Sequence, residues 1–181
     1  MERTRRLTGI TRRIEVVVTA SFALYSLLYL SGAFHWAGLY IYSVSHAAIV
    51  LGFILLVAFL RLPPYKGAPR DRLPWYDILF ILLSLAGTLY IALNVNKIIS
   101  EQRLTTLADE VLGIITVLML LEAVRRAVSP VLSVLGALFF LYPLFADKAP
   151  GFLERAPVSL ERIIAVQYMY PTGVFGSTLH L

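Results

Sequence analysis

The chain has 181 residues, of which 59% are hydrophobic and only 15% are charged. When its 11 Gly are counted in place of its 10 Tyr, the apolar share is about 60%, against roughly 45–50% in soluble domains, whose charged share is about 25%. The mean hydropathy is +0.77. A soluble globule of this size leaves about a third of its unfolded surface exposed, so it could not hide this much apolar surface. Disorder is excluded as well, because disordered chains are poor in apolar residues. The composition predicts an all-α integral membrane protein.

The net charge of +5 does not indicate a nucleic-acid binder. The 16 Lys and Arg residues gather in short clusters between apolar runs, without the interleaved aromatic side chains on which bases stack. Charge placed in this way is typical of orientation signals in membrane proteins. The chain has no Cys, which excludes disulfides, thiolate metal sites and cysteine nucleophiles.

Five apolar runs are long enough to cross a bilayer, whose hydrocarbon core takes roughly 20 helical residues, with a practical range of 17 to 25. They are Val16–Ala33, Tyr40–Leu60, Trp75–Leu93, Thr105 to about Val124, and Val128–Phe145. Each run is predicted to be helical, because backbone groups in lipid must form hydrogen bonds within their own segment. Asn94 and Asn96, just after the third run, are expected to cap its outer end.

The basic residues predict which side each connection faces. The leader and the connections after the second and fourth runs hold eleven Lys and Arg residues, and the other connections with the tail hold five. Positive charge favours the cytoplasmic side, so the N-terminus is predicted to be cytoplasmic in a multi-pass protein of the cell membrane. Amphipathic aromatic rings favour the headgroup level of a bilayer. Such rings occur at the outer turn (Trp36 and Tyr40) and at the inner side (Trp75 and Tyr76).

The beginning of the chain has a second interpretation. An Arg-rich start, the apolar stretch Val16–Leu30 and the small residues Ser31, Gly32 and Ala33 resemble a signal peptide with its cleavage site. We favour a retained first helix, because the apolar stretch is long for a signal peptide and another span follows immediately. The topology of the remaining spans is the same in either case.

The tail after the fifth run differs from the spans. Ser159 is expected to cap a short helix, over about 159–170, that carries Leu160, Ile163 and Ile164 on one face. Such a helix is too short to span, so it is predicted to lie in the outer interface as an amphipathic segment.

The sharpest candidate site is Glu122, with Arg125 and Arg126 three and four residues later. This spacing permits a local ion pair, and two Arg at a helix C-terminus also complement the helix dipole. One interpretation is a coupling-ion or subunit-docking charge. The other is a self-neutralising helix end, where long side chains reach water. Ion binding is disfavoured, and docking and the helix-end ion pair stay open.

His46 is a second intramembrane polar residue, seven residues into the second run. A proton relay would need a carboxylate partner, and that run holds none, so a hydrogen-bonded packing His is preferred. His35 is in the outer turn and His180 is near the C-terminus, so no metal-ligand spacing occurs. No cofactor is predicted.

Weaker patterns also predict packing. Ser129, Ser133 and Ala137 repeat at a spacing of four, which allows close helix approach. Phe22, Tyr25 and Tyr29 form a stripe that suits packing better than a ligand groove. Nucleophile motifs and phosphate loops are lacking in the sequence, so the chain is not predicted to be an enzyme.

Several short passages, in order, resemble a known family. In chain order, they are Pro74–Asp77 opening a span, Leu120–Arg126, Leu141–Phe145 followed by Pro150-Gly151, and Gly173–Gly176. From about Arg12 to Gly176, the chain resembles the N-terminal part of the fused permease of tripartite ATP-independent periplasmic (TRAP) transporters, in the branch served by TAXI-type binding proteins.

The resemblance implies a secondary transporter in which a binding protein delivers organic acids to a membrane permease driven by sodium or protons. It implies a basic cytoplasmic leader (1–15), a four-helix small-subunit-like region (16–126), a fifth helix (127–146) that is the connector or first helix of the large part, and an outer tail (147–181). The partners would be a large permease subunit, the binding protein and the lipid bilayer.

The family continues well past the Gly173–Gly176 passage into the re-entrant hairpins and broken helices that build a transport site. This chain stops at Leu181, so the family's site residues have no positions here. The expected function is a membrane scaffold of a TRAP-type permease that works with a large part. The alternatives are a truncated permease fragment and a small multi-span assembly or regulatory protein without transport function.

Overall fold

The fold is given by a computed structural model, which describes residues 4–5, 7–65, 67–69, 73–101, 106–148, 150–151 and 154–169. These residues form helices and no strand. The helices are α1 (Gly9–Leu30), α2 (Ala33–Trp36), α3 (Ser43–Arg61), α4 (Trp75–Glu101), α5 (Leu107–Ala127), α6 (Pro130–Leu141) and α7 (Leu160–Ile164). A 3₁₀ segment, Tyr142–Lys148, continues α6, and a π-helical turn, Ala165–Met169, continues α7.

Four segments are long and apolar enough to cross a membrane: Gly9–Leu30, Ser43–Arg61, Trp75–Val95 and Pro130–Lys148. They correspond to the first, second, third and fifth runs of the sequence. The coarse prediction of an all-α protein with membrane-spanning helices is confirmed for the described residues.

The fourth run is a helix, α5, but it is not among these four segments. It carries five charged residues, which are Asp109 and Glu110 in its first turn and Glu122, Arg125 and Arg126 near its end. The eleven residues between the two groups, 111–121, are uncharged. Charge is therefore confined to the two ends of α5.

Helix α4 is longer than the sequence predicted. It continues through most of the expected outer connection to Glu101. Asn94 therefore lies inside the helix, where its amide donates to the carbonyl of Tyr90 at 2.9 Å. The prediction that Asn94 caps the end of the helix is wrong, because helical hydrogen bonding continues past it; the side chain of Asn96 lies outside the described part.

The core lies among α3, α4 and α5. Leu55 and Phe59 of α3 and Ile91 of α4 are fully buried. Ser45 of α3 donates to the carbonyl of Ala92 of α4 at 3.1 Å. By contrast, α1 and α6 contain no buried residue and flank this three-helix core. Helix α1 packs on α3, and α6 packs on α5. Both flanking helices leave apolar side chains exposed.

Protein covers the apolar face of the tail helix, which corrects the prediction from its amphipathic pattern that this face lies against lipid in the outer interface. Ser159 caps α7 as expected, accepting from the backbone N–H of Arg162 at 3.4 Å. Its apolar face, however, packs into the bundle: Ile164 and Tyr168 are 1% exposed, and the Tyr168 hydroxyl donates to the carbonyl of Gly87 at 2.6 Å. Gly87 lies in the middle of α4, so the apolar face of the tail is covered by protein.

Candidate functional site

Four separate segments meet at one end of the bundle in a group of charged side chains. We call it the arginine–carboxylate cluster, and its members are Arg5, Asp77, Glu122, Arg125 and Arg126. Arg5 comes from the leader, Asp77 from the first turn of α4, and the other three from the last turns of α5. Backbone carbonyls at the end of α3 accept hydrogen bonds from two of these arginines.

Asp77 is the centre of the cluster. One of its carboxylate oxygens accepts from Nη2 of Arg5, and the other accepts from Nη1 of Arg126 at 2.7 Å. The side chains of all three residues are 0% exposed. Two charge-assisted hydrogen bonds to one buried carboxylate fix the start of α4 against the end of α5 and against the leader.

Arg126 is held on several sides. Besides Asp77, its Nη1 donates to the carbonyl of Leu62 at 3.1 Å. Its guanidinium carbon lies 4.9 Å from the ring centroid of Phe59 and 5.4 Å from that of Phe80. A guanidinium at this distance from aromatic faces is stabilised by the ring quadrupole, which suits a buried position.

Glu122 completes the helix-end part of the cluster. It forms a two-pronged ion pair with Arg125, with both N–O distances 2.7 Å, and accepts from Nε of Arg126, also at 2.7 Å. The structure thus brings together the three residues singled out from sequence. Glu122 is 20% and Arg125 39% exposed, so this side of the cluster is open.

Arg5 attaches the leader to the C-terminal end of α3. Its backbone N–H donates to the carbonyl of Arg61 at 2.8 Å, and its Nη1 donates to the carbonyl of Phe59 at 3.1 Å. The last carbonyls of a helix lack partners within the helix, and cations are favoured there. The sequence analysis did not predict the pairing of Arg5 with Asp77, which joins positions 72 residues apart.

His46 lies in an aromatic contact between α1 and α3. Its Nδ1 is 3.0 Å from the Tyr25 hydroxyl, and its ring stacks on Tyr29 with centroids 3.4 Å apart and planes 7° apart. Phe22 stacks on Phe53 next to them, at 5.3 Å. The aromatic stripe of α1 therefore packs on α3, and His46 forms part of that packing.

A second region, the tail seat, receives the tail helix in the middle of the bundle. It consists of Gly87, Gly113, Thr116, Ile164 and Tyr168. A Cβ on Gly113 would stand 2.6 Å from Ile164, and one on Gly87 would stand 2.0 Å from the Thr116 hydroxyl. The two glycines therefore make room for α5 against α4 and for the tail against α5.

The other residues singled out from the sequence make capping or packing contacts where the structure describes them. Ser129 caps α6 by accepting from the N–H of Leu132 at 3.2 Å, and Ser133 donates to the carbonyl of Leu121 at 2.8 Å, which joins α6 to α5. His35 meets Tyr40 edge-on at 5.0 Å, and His180 lies outside the described residues. Within the described part of the chain, no group of three His, Cys, Asp or Glu residues could hold a metal ion.

Comparisons with protein-family models, with curated proteins and with solved structures find no match. The chemistry of the cluster is therefore the guide to function. Both of its carboxylates form ion pairs with arginines of the same chain. This arrangement is better suited to holding helices together than to binding a substrate.

Proposed function

We propose that this chain is a membrane scaffold component of a TRAP-type secondary transporter for organic acids, working with a large permease part and a TAXI-type binding protein. The resemblance of its ordered motifs supports the assignment to that system. The structure contributes the argument for a scaffold, which rests on how the charges of the bundle are used.

The observation that carries the proposal is the fixed arginine–carboxylate cluster. Asp77 is fully buried between the guanidinium groups of Arg5 and Arg126, and Glu122 accepts hydrogen bonds from Arg125 and from the same Arg126. A carboxylate that binds a coupling ion must exchange partners during transport. Removing one partner from a buried ion pair leaves an uncompensated charge at high cost, so this cluster favours a static wall.

The same cluster supports five crossings with a cytoplasmic N-terminus. It places the leader, the end of α3, the start of α4 and the end of α5 at one end of the bundle. Consecutive long helices then run in alternating directions, and α5 crosses with its charged turns at the two boundaries. The positive charge of the leader and of the Arg61–Pro74 connection favours the cytoplasmic side of the cell membrane for this end.

The flanking helices offer apolar surface to lipid and to the large permease part. Val131 and Phe139 of α6 are 75% and 70% exposed, and α6 packs within the described chain against α5. By the resemblance, α6 is the connector to the large part. We expect the large part to cover this face, with the transport domain moving against the fixed core.

Copurification from native membranes tests the proposal. The tagged chain should retain a large polytopic permease, which a tagged unrelated multi-span protein should not. Leu135→Trp enlarges an exposed side chain on α6 and should weaken this association, whereas Leu24→Trp on α1 should leave it unchanged. A chain that never retains a large permease favours the assembly or regulatory alternative. Uptake of a labelled dicarboxylate by liposomes holding this chain alone would contradict the scaffold.

A further inference from the structure

Counted over the described residues, the arginine–carboxylate cluster carries one more positive charge than negative. Its three arginines face two carboxylates, Asp77 and Glu122. The nearby pair of Arg61 and Glu15, with N–O distance 2.6 Å, is neutral and does not change this balance. A net charge among side chains that are largely removed from water costs free energy unless an opposite charge accompanies it.

Two N–H-bearing atoms of the cluster are also without an acceptor among the described residues. They are Nε of Arg5 and Nη2 of Arg126, both buried and both without a hydrogen-bond partner there. The two residues are 6% and 8% exposed. Every other guanidinium nitrogen named above donates to a carboxylate or a carbonyl. Buried donors are satisfied in the great majority of native structures, so the cluster lacks an acceptor as well as a negative charge.

The position of the cluster indicates which acceptor is available. Asp77 is two residues after Trp75, which is 75% exposed at the start of α4. Tryptophan in such a position suits the headgroup level of a bilayer, where phosphate is an abundant oxyanion. Arg125, 39% exposed, gives the cluster an open side at that level.

We infer that the arginine–carboxylate cluster binds a phosphate oxyanion, as the headgroup of an anionic phospholipid or as free phosphate, whose oxygens accept from Arg5 Nε and Arg126 Nη2. Guanidinium groups pair with phosphate through geometrically fixed hydrogen bonds, and basic pockets between membrane helices bind anionic headgroups. A buried water would satisfy the donors but would leave the excess charge uncompensated.

The test uses the purified full chain in phosphatidylcholine nanodiscs containing increasing fractions of phosphatidylglycerol, with bound lipid counted by native mass spectrometry. The measurement is made at about 0.5 M salt, where exposed charges are strongly screened and a buried site is screened much less. The wild type should retain phosphatidylglycerol in preference to phosphatidylcholine. Arg5→Gln should lower that preference about tenfold, the effect of one charge-assisted hydrogen bond.

Arg13→Gln is the matched control, because it removes the same charge from an exposed position close in sequence. It should leave the preference unchanged. Inorganic phosphate that displaces phosphatidylglycerol assigns the site to the oxyanion alone, and failure to displace it assigns the site to the lipid headgroup. Equal losses in Arg5→Gln and Arg13→Gln would overturn the inference. So would a wild type with neither a lipid preference nor thermal stabilisation by phosphate, a result that stands even if Arg5→Gln does not fold.

This inference rests on membrane insertion, and it does not depend on a permease partner. A chain that fails to copurify with a large permease can still select phosphatidylglycerol, and the reverse also holds. The two experiments therefore fail independently.

Discussion

The arginine–carboxylate cluster and the tail seat hold the same helices together by opposite means. At the cluster, α4 and α5 are joined by full charges, with Asp77 and Arg126 in direct contact. At the tail seat, α4 and α5 approach each other closely, because Gly87 has no side chain and leaves room for Thr116. Charge is used at the helix ends and close packing in the middle.

In the proposed membrane topology, the depth of each region explains the difference. Gly87 follows Asp77 by ten residues, which is about 15 Å along a helix. A charge in the middle of a bilayer is costly, whereas one near the boundary has polar neighbours. Helices in lipid associate instead through close van der Waals contact and single hydrogen bonds, such as that of Tyr168 with the Gly87 carbonyl. Substitutions in the two regions should therefore act by different means, through charge at the cluster and through packing at the tail seat.

The largest expected effect is that of Asp77→Ala. It leaves the buried guanidinium groups of Arg5 and Arg126 without their shared carboxylate, so the free energy of unfolding should fall by about 3–5 kcal/mol. Unfolding in mixed micelles, followed by circular dichroism, measures this. Asp147→Ala, at an exposed position, is the control and should change little. A loss below about 1 kcal/mol for Asp77→Ala would show that the cluster does not hold the bundle together.

Gly87→Ala tests the steric region. The added Cβ would stand 2.0 Å from the Thr116 hydroxyl. Overpacking of this kind costs about 1–3 kcal/mol, against a gain of about 1 kcal/mol in helix propensity, so a net loss of stability is expected. The double variant Gly87→Ala with Thr116→Ala removes the clashing hydroxyl and should recover part of the loss. A single variant more stable than the wild type would contradict the close contact.

Tyr168→Phe removes one hydrogen bond in the tail seat and leaves the ring in place. The free energy of unfolding should fall by about 1 kcal/mol, because the Tyr168 hydroxyl no longer satisfies the Gly87 carbonyl. Tyr65→Phe, at a position 62% exposed, should have no effect in the same assay. Identical stability of the two variants would show that this hydrogen bond does not hold the tail helix against α4.

The smallest effect is expected at the open side of the cluster. Arg125→Gln breaks the pair with Glu122, but Arg125 is 39% exposed, so solvent screening limits the loss to about 0–1 kcal/mol. Arg126→Gln, on the same carboxylate but fully buried, should cost about 3 kcal/mol or more. Equal losses would show that burial does not set the strength of these pairs.

Patterns local in sequence predicted much of this arrangement. The apolar runs indicated the long helices because spanning length is a property of one segment. The spacing of Glu122, Arg125 and Arg126 indicated a local ion pair because residues three and four apart share a helix face. Their contacts are found as that spacing suggests, and their role in docking stays a prediction.

Contacts between segments that are distant in sequence could not be predicted from local patterns. The pairing of Arg5 with Asp77 depends on how the leader folds back onto α3, which no periodicity encodes. The amphipathic pattern of the tail helix showed that its apolar face is covered, but a pattern does not show whether lipid or protein covers it. Gly87 and Gly113 occur singly, so their part in the tail seat became visible only with Thr116 and Ile164 beside them.

The most direct test of the account is the membrane sidedness of its helix ends. The chain has no native Cys, so single cysteines can be labelled cleanly with an impermeant maleimide in intact cells. Cysteines replacing Trp36 and Leu107 should react from outside. Those replacing Thr8, Tyr65 and Val128 should react only after the membrane is permeabilised, since their ends meet around the arginine–carboxylate cluster. Labelling of Thr8 and Tyr65 positions from opposite sides, or of Leu107 and Val128 positions from the same side, would contradict the bundle as a membrane-spanning scaffold.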